Sequence, residues 1–480
     1  MLVILLVAVA TRWVTFGNPV VILDDQFYLL VGDAIRQGQW PYTDIWDRKP
    51  FGLFLLFAAI AALGDGSILV MQMVAMLFAA ATAMVIRRIA LLYVTPQPAL
   101  LAALAYLLMI PLLGGQSAQS PVFYNLPIAG AAWLLLSSLH PGAALRSNAL
   151  LAMLLCGLAM SIKPVAVVEG AAFGLAFLWL VIRRGATPAV VATTAIAMIA
   201  VALLPLILPY LAYALAGDDA RDAFVYANFV SIFEKDSFGI KAKLAGLAFF
   251  LIYALPLLGL ATIGIKDCWV RGGGGMQARL LLAWLGAAFL GYLAVPHFFD
   301  HYALPLLVPL SVAAAFAFAR RAGRLYALGL LMFCLIQGAV IDVAGNRATI
   351  TQFNVLTERI NQARGEGCIY LADGPTWLYK STNACRLTSY LFPDHLNLYV
   401  ERDAVGVDPR TELVRIFALR PAVVVTQDSE RGKHNPATQR ILRDELSRNY
   451  RVIYRVPTDG PQLLATVRVW QRRDLPPPQR

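Results

Sequence analysis

The chain has 480 residues, of which 59% are apolar and only 14% are charged, and its mean hydropathy is +0.65. This composition excludes an ordinary soluble domain and predicts a polytopic membrane protein. The formal net charge of +11 would favour nucleic acid as a partner in a soluble protein. Here most of the basic residues of 1–345 lie in short connectors between apolar segments, where they orient the spans, so we expect no nucleic acid partner.

Long apolar runs in residues 1–345 predict the membrane spans. Runs of roughly 17 to 25 residues give about eleven transmembrane helices. In chain order the expected spans are 1–16, 67–86, 98–113, 122–139, 148–162, 165–182, 188–213, 243–265, 280–296, 302–319 and 325–342. Basic clusters fall in every second connector, which predicts that these connectors are cytoplasmic and that residues 346–480 lie outside the cytoplasm. We therefore expect a transmembrane domain at 1–345 and an extracytoplasmic domain at 346–480.

The first outer loop, residues 17–66, is unusually acidic for a membrane protein, with five aspartates between residues 24 and 57. An amphipathic helix is predicted over "YLLVGDAIRQG", followed by a turn at "WPY". Asp33 lies on this helix and is expected to be solvated. The apolar stretch "KPFGLFLLFAAIAALGDG" is too short to cross the membrane and return, so it is predicted to form a helix at the outer interface.

Two sets of charges in this loop suit chemistry at a membrane surface. Asp24 and Asp25 directly follow the first span, where a general base or a divalent-cation ligand could face a substrate; helix N-capping is the alternative explanation. Asp44 and Asp47 precede Lys49, which places a cation at the height of the lipid head groups, where it could hold a phosphate. The alternative for the lysine is a plain interfacial anchor.

Three further features lie later in the chain. Lys163, in "SIKP", interrupts an apolar stretch, and lysines at the membrane edge are costly and tend to be functional. The outer loop at 214–242 adds Lys241. The sequence "PHFFDHY", residues 296–302, places two histidines and an aspartate within five residues, but this spacing matches no specific metal motif, and hydrogen bonding is the favoured interpretation.

The tail alternates strand and helix patterns. The segments "CIYLA", "AVVVT", "YRVIYRV" and "LLATVRVWQRR" predict strands, and "TELVRIFALR" and "TQRILRDELSRNY" predict helices, which together indicate a small α/β domain. Cys368 and Cys385 could form a disulfide outside the cytoplasm, or remain two unrelated buried thiols. No Walker or Rossmann glycine signature is present, so no nucleotide cofactor is expected.

The order of motifs in the first loop resembles the GT-C superfamily of polyprenyl-phosphate-sugar-dependent glycosyltransferases. This group includes the protein O-mannosyltransferases of glycosyltransferase family 39 and the aminoarabinose transferase of lipid A. The pattern is an acidic pair, a tyrosine, "G-x-x-PY-x-D" and "D-x-KP-x-G", carried by Asp24, Asp25, Tyr28, Gly38, Pro41, Tyr42, Asp44, Asp47, Lys49, Pro50 and Gly52. The sequences "FFDHYALPLLVPLS" and "IYLADGPTWLYKST" extend the resemblance over nearly the whole chain.

The resemblance implies a GT-C-type helical membrane fold and roles for individual residues. Asp24 matches the catalytic base or metal-site residue, and Lys49 matches the lysine that contacts the donor phosphate in the lipid A branch. We expect Asp24, Asp25 and Asp47 to be catalytic, with a divalent cation (Mg, Mn or Zn) held by Asp24 and Asp25. The expected substrate-binding residues are Tyr28, Tyr42, Lys49, Lys163, Lys241, His301 and Tyr302. Relatives often carry an acid in the second outer loop, whereas "GGQSAQSPVFYNLP" has none.

The function expected from this resemblance is inverting transfer of a monosaccharide from a polyprenyl-phosphate carrier to an external lipid, glycan or protein. The protein would lie in the bacterial inner membrane, with membrane lipids, the lipid-linked donor and a cell-envelope acceptor as partners. One alternative is a transporter or flippase for a lipid-linked saccharide, which predicts charges deep within the spans. A second is a non-enzymatic membrane sensor, for which the first loop would be dispensable.

Overall fold

The computed structural model describes residues 1–140, 142–236, 239–271, 275–295, 298–337, 341–428, 432–456, 464 and 466–477. Their α-helices are α1 (Leu2–Ala10), α2 (Leu23–Arg36), α3 (Phe51–Gly64), α4 (Ile68–Ala90), α5 (Pro96–Met109), α6 (Ser120–Ser137), α7 (Leu145–Ile162), α8 (Val167–Arg183), α9 (Pro188–Ala216), α10 (Asp218–Val225), α11 (Ser231–Glu234), α12 (Ile240–Arg271), α13 (Met276–Ala294), α14 (Leu307–Phe318), α15 (Gly323–Ile336), α16 (Val343–Arg364), α17 (Leu378–Ser381), α18 (Asp394–Asn397), α19 (Pro409–Ala418) and α20 (Pro436–Asn449). Short 3₁₀ segments include Pro164–Ala166, before α8, and Asp300–Leu306, before α14.

The chain is a multi-pass membrane protein. Eight segments of the described residues are long and apolar enough to cross a membrane: Ile68–Ala90, Pro96–Leu113, Leu145–Ile162, Pro164–Arg183, Pro188–Ala216, Ile240–Val270, Met276–Ala294 and Asp300–Phe318. The other three predicted spans fall on α1, α6 and α15, which do not meet this criterion.

The described chain divides into two compact units. The membrane unit consists of Met1–Val14, Gln72–Leu211 and Phe238–Asp342, and the mixed unit of Thr15–Met71, Ala212–Ser237 and Val343–Arg480. The mixed unit thus joins the first outer loop to the tail. The predicted domain limits at 1–345 and 346–480 stay a prediction.

Small residues set the helix packing of the membrane unit. At Gly264 of α12, an added Cβ would lie 1.9 Å from the carbonyl oxygen of Ala313 in α14. At Gly157 of α7, an added Cβ would lie 2.2 Å from the carbonyl oxygen of Ala202 in α9. The absence of a side chain therefore allows the backbones to approach closely, as is common between membrane helices.

In the mixed unit, α2 packs against α3. An added Cβ at Gly32 would lie 2.4 Å from the backbone of Phe57, so the two helices touch at that glycine. The Tyr28 ring packs edge-on against Phe54 and Phe57, with ring centroids 6.4 and 5.4 Å away. The helix predicted over "YLLVGDAIRQG" is therefore present, but it begins five residues earlier, at Leu23.

The tail forms the predicted small α/β domain. Its strands are β1 (Ile369–Leu371), β2 (Val423–Thr426), β3 (Tyr450–Arg455) and β4 (Arg468–Arg472), in the order β1-β2-β4-β3. The β1–β2 pair is parallel, and both pairs that involve β4 are antiparallel. Helices α19 and α20 each begin with a proline after a side-chain cap, from Asp408 and Asn435 respectively, as is common at helix N-termini.

Apolar side chains of the tail helices and of the sheet share one core, which includes Leu413, Ile416, Leu442, Leu446, Tyr370 and Val424. Cys368 and Cys385 form a disulfide, which decides between the two alternatives left open by the sequence.

Candidate active-site residues

Asp24 and Asp25 lie in the first turn of α2. The N-cap residue is Ile22, so neither aspartate occupies the N-cap position itself, and the favourable interaction with the helix dipole that the alternative explanation expected stays open. Asp25 is only 2% exposed, whereas Asp24 is partly exposed. Asp24 is therefore the carboxylate of the pair that solvent or a substrate reaches more easily.

Tyr28 lies one helical turn after Asp24. The charges of Asp24 and Lys49 both affect the pKa of its hydroxyl. The Lys49 Nζ lies 5.4 Å from the Tyr28 ring centroid, and the lysine hydrogen-bonds to the tyrosine hydroxyl. Burial raises the pKa of Tyr28 well above its ordinary value, and the Asp24 charge raises it further, whereas the Lys49 charge lowers it. The first loop therefore brings a carboxylate and an ammonium to the same buried tyrosine, which we call the Tyr28 cluster.

Tyr42 supports this cluster through the backbone. Its hydroxyl donates to the carbonyl oxygen of Lys49 at 2.8 Å, and its ring packs against Phe54 of α3. Its φ is +71°, a left-handed conformation that is costly for a residue with a bulky side chain. Because the Tyr42 hydroxyl bonds to the backbone of Lys49, the contacts of Tyr42 suit a role in positioning that lysine.

Asp47 is buried and accepts the backbone N–H of Arg48 at 2.5 Å. The Nε2 atom of His395, from the tail, lies 3.9 Å from its Oδ1. Burial lowers the pKa of His395 to about 4, although Asp47 acts in the opposite direction. The histidine beside Asp47 is therefore neutral at pH 7.

Arg48 takes part in a buried ion cluster that the sequence did not reveal. Its guanidinium lies 2.5 Å from Oε2 of Glu401, and Lys235 Nζ lies 2.6 Å from Oε1 of the same carboxylate. Arg48 also donates to the carbonyl oxygen of Ala404 at 2.9 Å. Burial raises the pKa of Glu401, but the charges of Arg48 and Lys235 outweigh it and lower the pKa to about 2. The Glu401 carboxylate of the tail therefore holds Arg48, the residue between Asp47 and Lys49.

Two other aspartates of the loop have structural partners. Asp33 is not solvated as predicted; it is buried, and Lys380 Nζ lies 2.7 Å from its Oδ2. The prediction was wrong because the basic partner lies more than three hundred residues away in the sequence. Asp44 accepts the backbone N–H of Trp40 at 2.7 Å and closes the turn at "WPY".

In the membrane unit, Lys163 follows the last residue of α7 and adopts an extended conformation before Pro164, as residues before proline tend to do. Its Nζ lies 4.7 Å from the Tyr302 ring centroid. Both residues line a small pocket, together with Tyr124, Glu169 and Tyr292. The structure therefore brings together two of the predicted substrate-binding residues, Lys163 and Tyr302.

Glu169 in this pocket was missed. It is the single acidic residue inside the predicted span 165–182, and an ionisable residue within a span is a signal that could have identified it. Its carboxyl accepts the indole N–H of Trp284 at 2.7 Å.

The other two predicted substrate-binding residues of this unit are not among the residues that line the pocket. The Nδ1 atom of His301 lies 3.2 Å from Oδ1 of Asp300, and the His301 ring stacks on Phe299. These contacts agree with hydrogen bonding, the role that the sequence favoured for this histidine. His297 lies outside the described residues. Lys241 is exposed in the first turn of α12.

The donor atoms near Asp24 do not make a metal site of three protein ligands. Within the described ranges, no group of three or more His, Cys, Asp or Glu side chains could hold a metal ion. Asp24 and Asp25 supply two carboxylates, fewer than a zinc site built from protein ligands uses. The expected divalent cation stays a prediction, and we derive no step through it.

No family model matches the chain, and no curated protein matches it in sequence. The crystal structure of ArnT from Cupriavidus metallidurans in the apo state is similar over 98% of this chain and 96% of that one, with a TM-score of 0.65 and 14% identity. The structure of the same protein bound to undecaprenyl phosphate covers 100% and 98%, with a TM-score of 0.63 and 13% identity.

The oligosaccharyltransferase of Archaeoglobus fulgidus, in complex with Zn and sulfate, matches 89% of this chain and 67% of that one, with a TM-score of 0.55 and 14% identity. These likenesses extend over nearly all of the chain, in both the membrane helices and the tail. The protein therefore has the GT-C fold that the resemblance predicted.

Proposed function

We propose that the protein is an integral membrane glycosyltransferase that moves a monosaccharide from a polyprenyl-phosphate carrier to an extracytoplasmic lipid, glycan or protein. The observation that carries this proposal is the Tyr28 cluster, in which the Lys49 Nζ lies 5.4 Å from the ring centroid of buried Tyr28 and Asp24 lies one helical turn before that tyrosine. Transfer from a sugar phosphate needs a base for the acceptor and a cation for the leaving phosphate, and this cluster supplies both. The solved relatives by fold include one bound to undecaprenyl phosphate.

In the proposed reaction, an acceptor hydroxyl attacks the anomeric carbon from the side opposite the phosphate. Asp24 takes the proton of that hydroxyl as the new C–O bond forms. The bond between the anomeric carbon and the phosphate oxygen breaks, and its electron pair leaves with the lipid phosphate, whose charge Lys49 neutralises. One displacement inverts the anomeric configuration.

The remaining predicted residues take supporting roles in this proposal. Asp25 and Asp47 shape the electrostatic field around the proposed base, Asp24. Tyr28 and Tyr42 position Lys49. In the membrane unit, Lys163 and Tyr302 bind substrate in the pocket that both of them line. Lys241 and His301 belong to the proposal as substrate contacts on the same unit.

The proposed location is the bacterial inner membrane, with residues 346–480 in the periplasm. The basic connectors support this orientation. The disulfide between Cys368 and Cys385 also supports it, because disulfides persist outside the reducing cytoplasm.

The test is sugar transfer by purified protein in detergent, supplied with a panel of synthetic polyprenyl monophosphate sugars and an envelope extract as acceptor. The Asp24→Asn variant removes the base while keeping the size of the side chain, so transfer should fall by at least about 100-fold. Asp65→Asn is the matched control, because Asp65 lies on the same loop with its side chain 92% exposed, and it should transfer like wild type. Full transfer by Asp24→Asn would refute the assignment of the base.

A protein that transfers no sugar but moves a lipid-linked saccharide across vesicles would be a flippase. Because the detergent assay has no second compartment, it detects transfer alone.

A further inference from the structure

Glu169 is the feature of the membrane unit for which the proposed reaction gives no reason. It lies in the first turn of α8, inside a span, and is 4% exposed. The indole N–H of Trp284, on α13, donates to its Oε1 at 2.7 Å. A carboxyl group inside a membrane span is costly, and such residues are rare and functional as a rule. Trp284 fixes the orientation of this carboxyl and leaves Oε2 for another partner.

A second buried polar group lines the same pocket. Tyr292 of α13 is 3% exposed, and among the described residues its hydroxyl has no hydrogen-bond partner. A buried hydroxyl without a partner is destabilising. Its ring and the Glu169 side chain both line the pocket, together with Lys163. The pocket therefore offers a carboxyl and an unpartnered hydroxyl next to a cation.

The charges of the pocket restrict the ligand group that these two residues can bind. A phosphate would meet a like charge whenever Glu169 is ionised, and an ammonium group would meet the positive charge of Lys163. A neutral hydroxyl meets neither penalty, since it can donate to a carboxylate oxygen and accept from a tyrosine hydroxyl. The small size of the pocket also suits one polar group, and the Tyr124 and Tyr302 rings that line it offer apolar faces to the carbon atoms that carry it.

We propose that Glu169 and Tyr292 bind one hydroxyl group of the lipid-linked sugar, and that this pair helps to select which sugar the protein accepts. The proposal rests on the proposed transferase function and assigns the specificity of its donor. In it, the hydroxyl donates to Oε2 of Glu169 and accepts from the Tyr292 hydroxyl, while Trp284 positions the carboxyl.

The experiment compares the preferred donor with its monodeoxy analogues, each lacking one hydroxyl. Glu169→Gln keeps an acceptor for Trp284 but replaces the second acceptor with a donor, and Tyr292→Phe removes only the hydroxyl. Tyr93→Phe is the matched control, because Tyr93 also has a buried hydroxyl without a hydrogen-bond partner in the described chain but does not line this pocket. Size-exclusion chromatography checks that each variant is folded, and binding of undecaprenyl phosphate alone is measured beside transfer.

Glu169→Gln and Tyr292→Phe should each raise the KM for the preferred donor about tenfold, while kcat stays within about twofold. The penalty should vanish for the one analogue that lacks the recognised hydroxyl, because neither variant loses a contact there. Tyr93→Phe should change neither constant, and no variant should weaken binding of undecaprenyl phosphate. If one of the two variants fails to fold, the other carries the same test.

Three outcomes would overturn the proposal. An unchanged KM, an equal penalty on every deoxy analogue, or weaker binding of undecaprenyl phosphate by the variants would show that the pair does not recognise a sugar hydroxyl. These outcomes leave the transferase function intact, because the wild-type protein still transfers sugar. A wild-type protein that transfers no sugar of the panel would refute the proposed function, and this proposal with it.

Discussion

Replacement of Glu401 by Gln should destabilise the mixed unit by a measurable amount. Glu401 is 4% exposed in its side chain and holds both Arg48 and Lys235. The two cations lower its pKa from the ordinary value of 4.5 to about 2, and at about 1.36 kcal/mol per unit this corresponds to roughly 3 kcal/mol of stability at pH 7. The loss of one partner from a buried ion pair costs about 3 to 5 kcal/mol in other proteins, so the two figures agree.

The destabilisation caused by Glu401→Gln should depend on pH. Because the pKa is depressed in the folded state, the contribution of Glu401 is fully present above about pH 4.5 and is lost as the pH falls toward about 2. Wild type and Glu401→Gln should therefore differ most at neutral pH and converge in acid. The assay is thermal unfolding of purified protein in detergent from pH 7 to pH 3, where the neutral-pH difference should be about 6 to 10 °C.

The surface pair of Arg468 and Asp428 provides the control. Its N–O distance is 2.5 Å, like that of the buried pair, but the Asp428 side chain is largely exposed, and exposed pairs contribute about 0 to 1 kcal/mol. Asp428→Asn should therefore shift the melting temperature by at most about 3 °C. If Glu401→Gln melts like wild type at pH 7, or if its deficit in melting temperature stays constant down to pH 3, the Glu401 pairs do not stabilise the protein as described.

Three further predictions concern the Tyr28 cluster, helix packing and the disulfide. Lys49→Met should raise the KM for the lipid-linked donor at least about tenfold in steady-state transfer assays, because a phosphate loses its cation; an unchanged KM would indicate a plain membrane anchor. Gly264→Val should lower stability by about 1 to 3 kcal/mol in thermal unfolding, because its Cβ would lie 1.9 Å from a carbonyl oxygen of α14. Gly259→Ala, on the same helix with no atom near its Cβ position, is the control, and equal melting of the two variants would contradict the packing argument. The double variant Cys368→Ser with Cys385→Ser should lose about 3 kcal/mol for a sequence separation of 17; unchanged melting under oxidising conditions would contradict a stabilising bond.

Local sequence patterns predicted the elements of this fold well. The strand in "AVVVT" became β2 at Val423–Thr426, and the apolar segment after Lys49 became α3 at Phe51–Gly64. Both depend on short-range periodicity and on the turn or proline that bounds them, which the sequence displays directly. The helix over "YLLVGDAIRQG" was also correct in kind. Its start was placed too late, because Ile22 at the N-cap gives no capping signal.

Long-range partners could not be predicted in the same way. Lys380 pairs with Asp33, and Glu401 pairs with Arg48, across sequence separations that no local pattern encodes. Asp33 was therefore assigned to solvent although it is buried. Glu169 is a different case, since a lone carboxyl inside an apolar run is unusual in the sequence itself.

The three consecutive residues Asp47, Arg48 and Lys49 link the stability of this segment to the proposed reaction. Asp47 faces His395, Arg48 pairs with Glu401, and Lys49 reaches Tyr28. The segment has no regular secondary structure, so no ladder of backbone hydrogen bonds fixes it. The directions of Asp47 and Lys49 therefore depend on the buried Arg48 pair between them. It follows that the loss of this pair should impair sugar transfer as well as stability, because a lysine that is free to move no longer holds a phosphate in place.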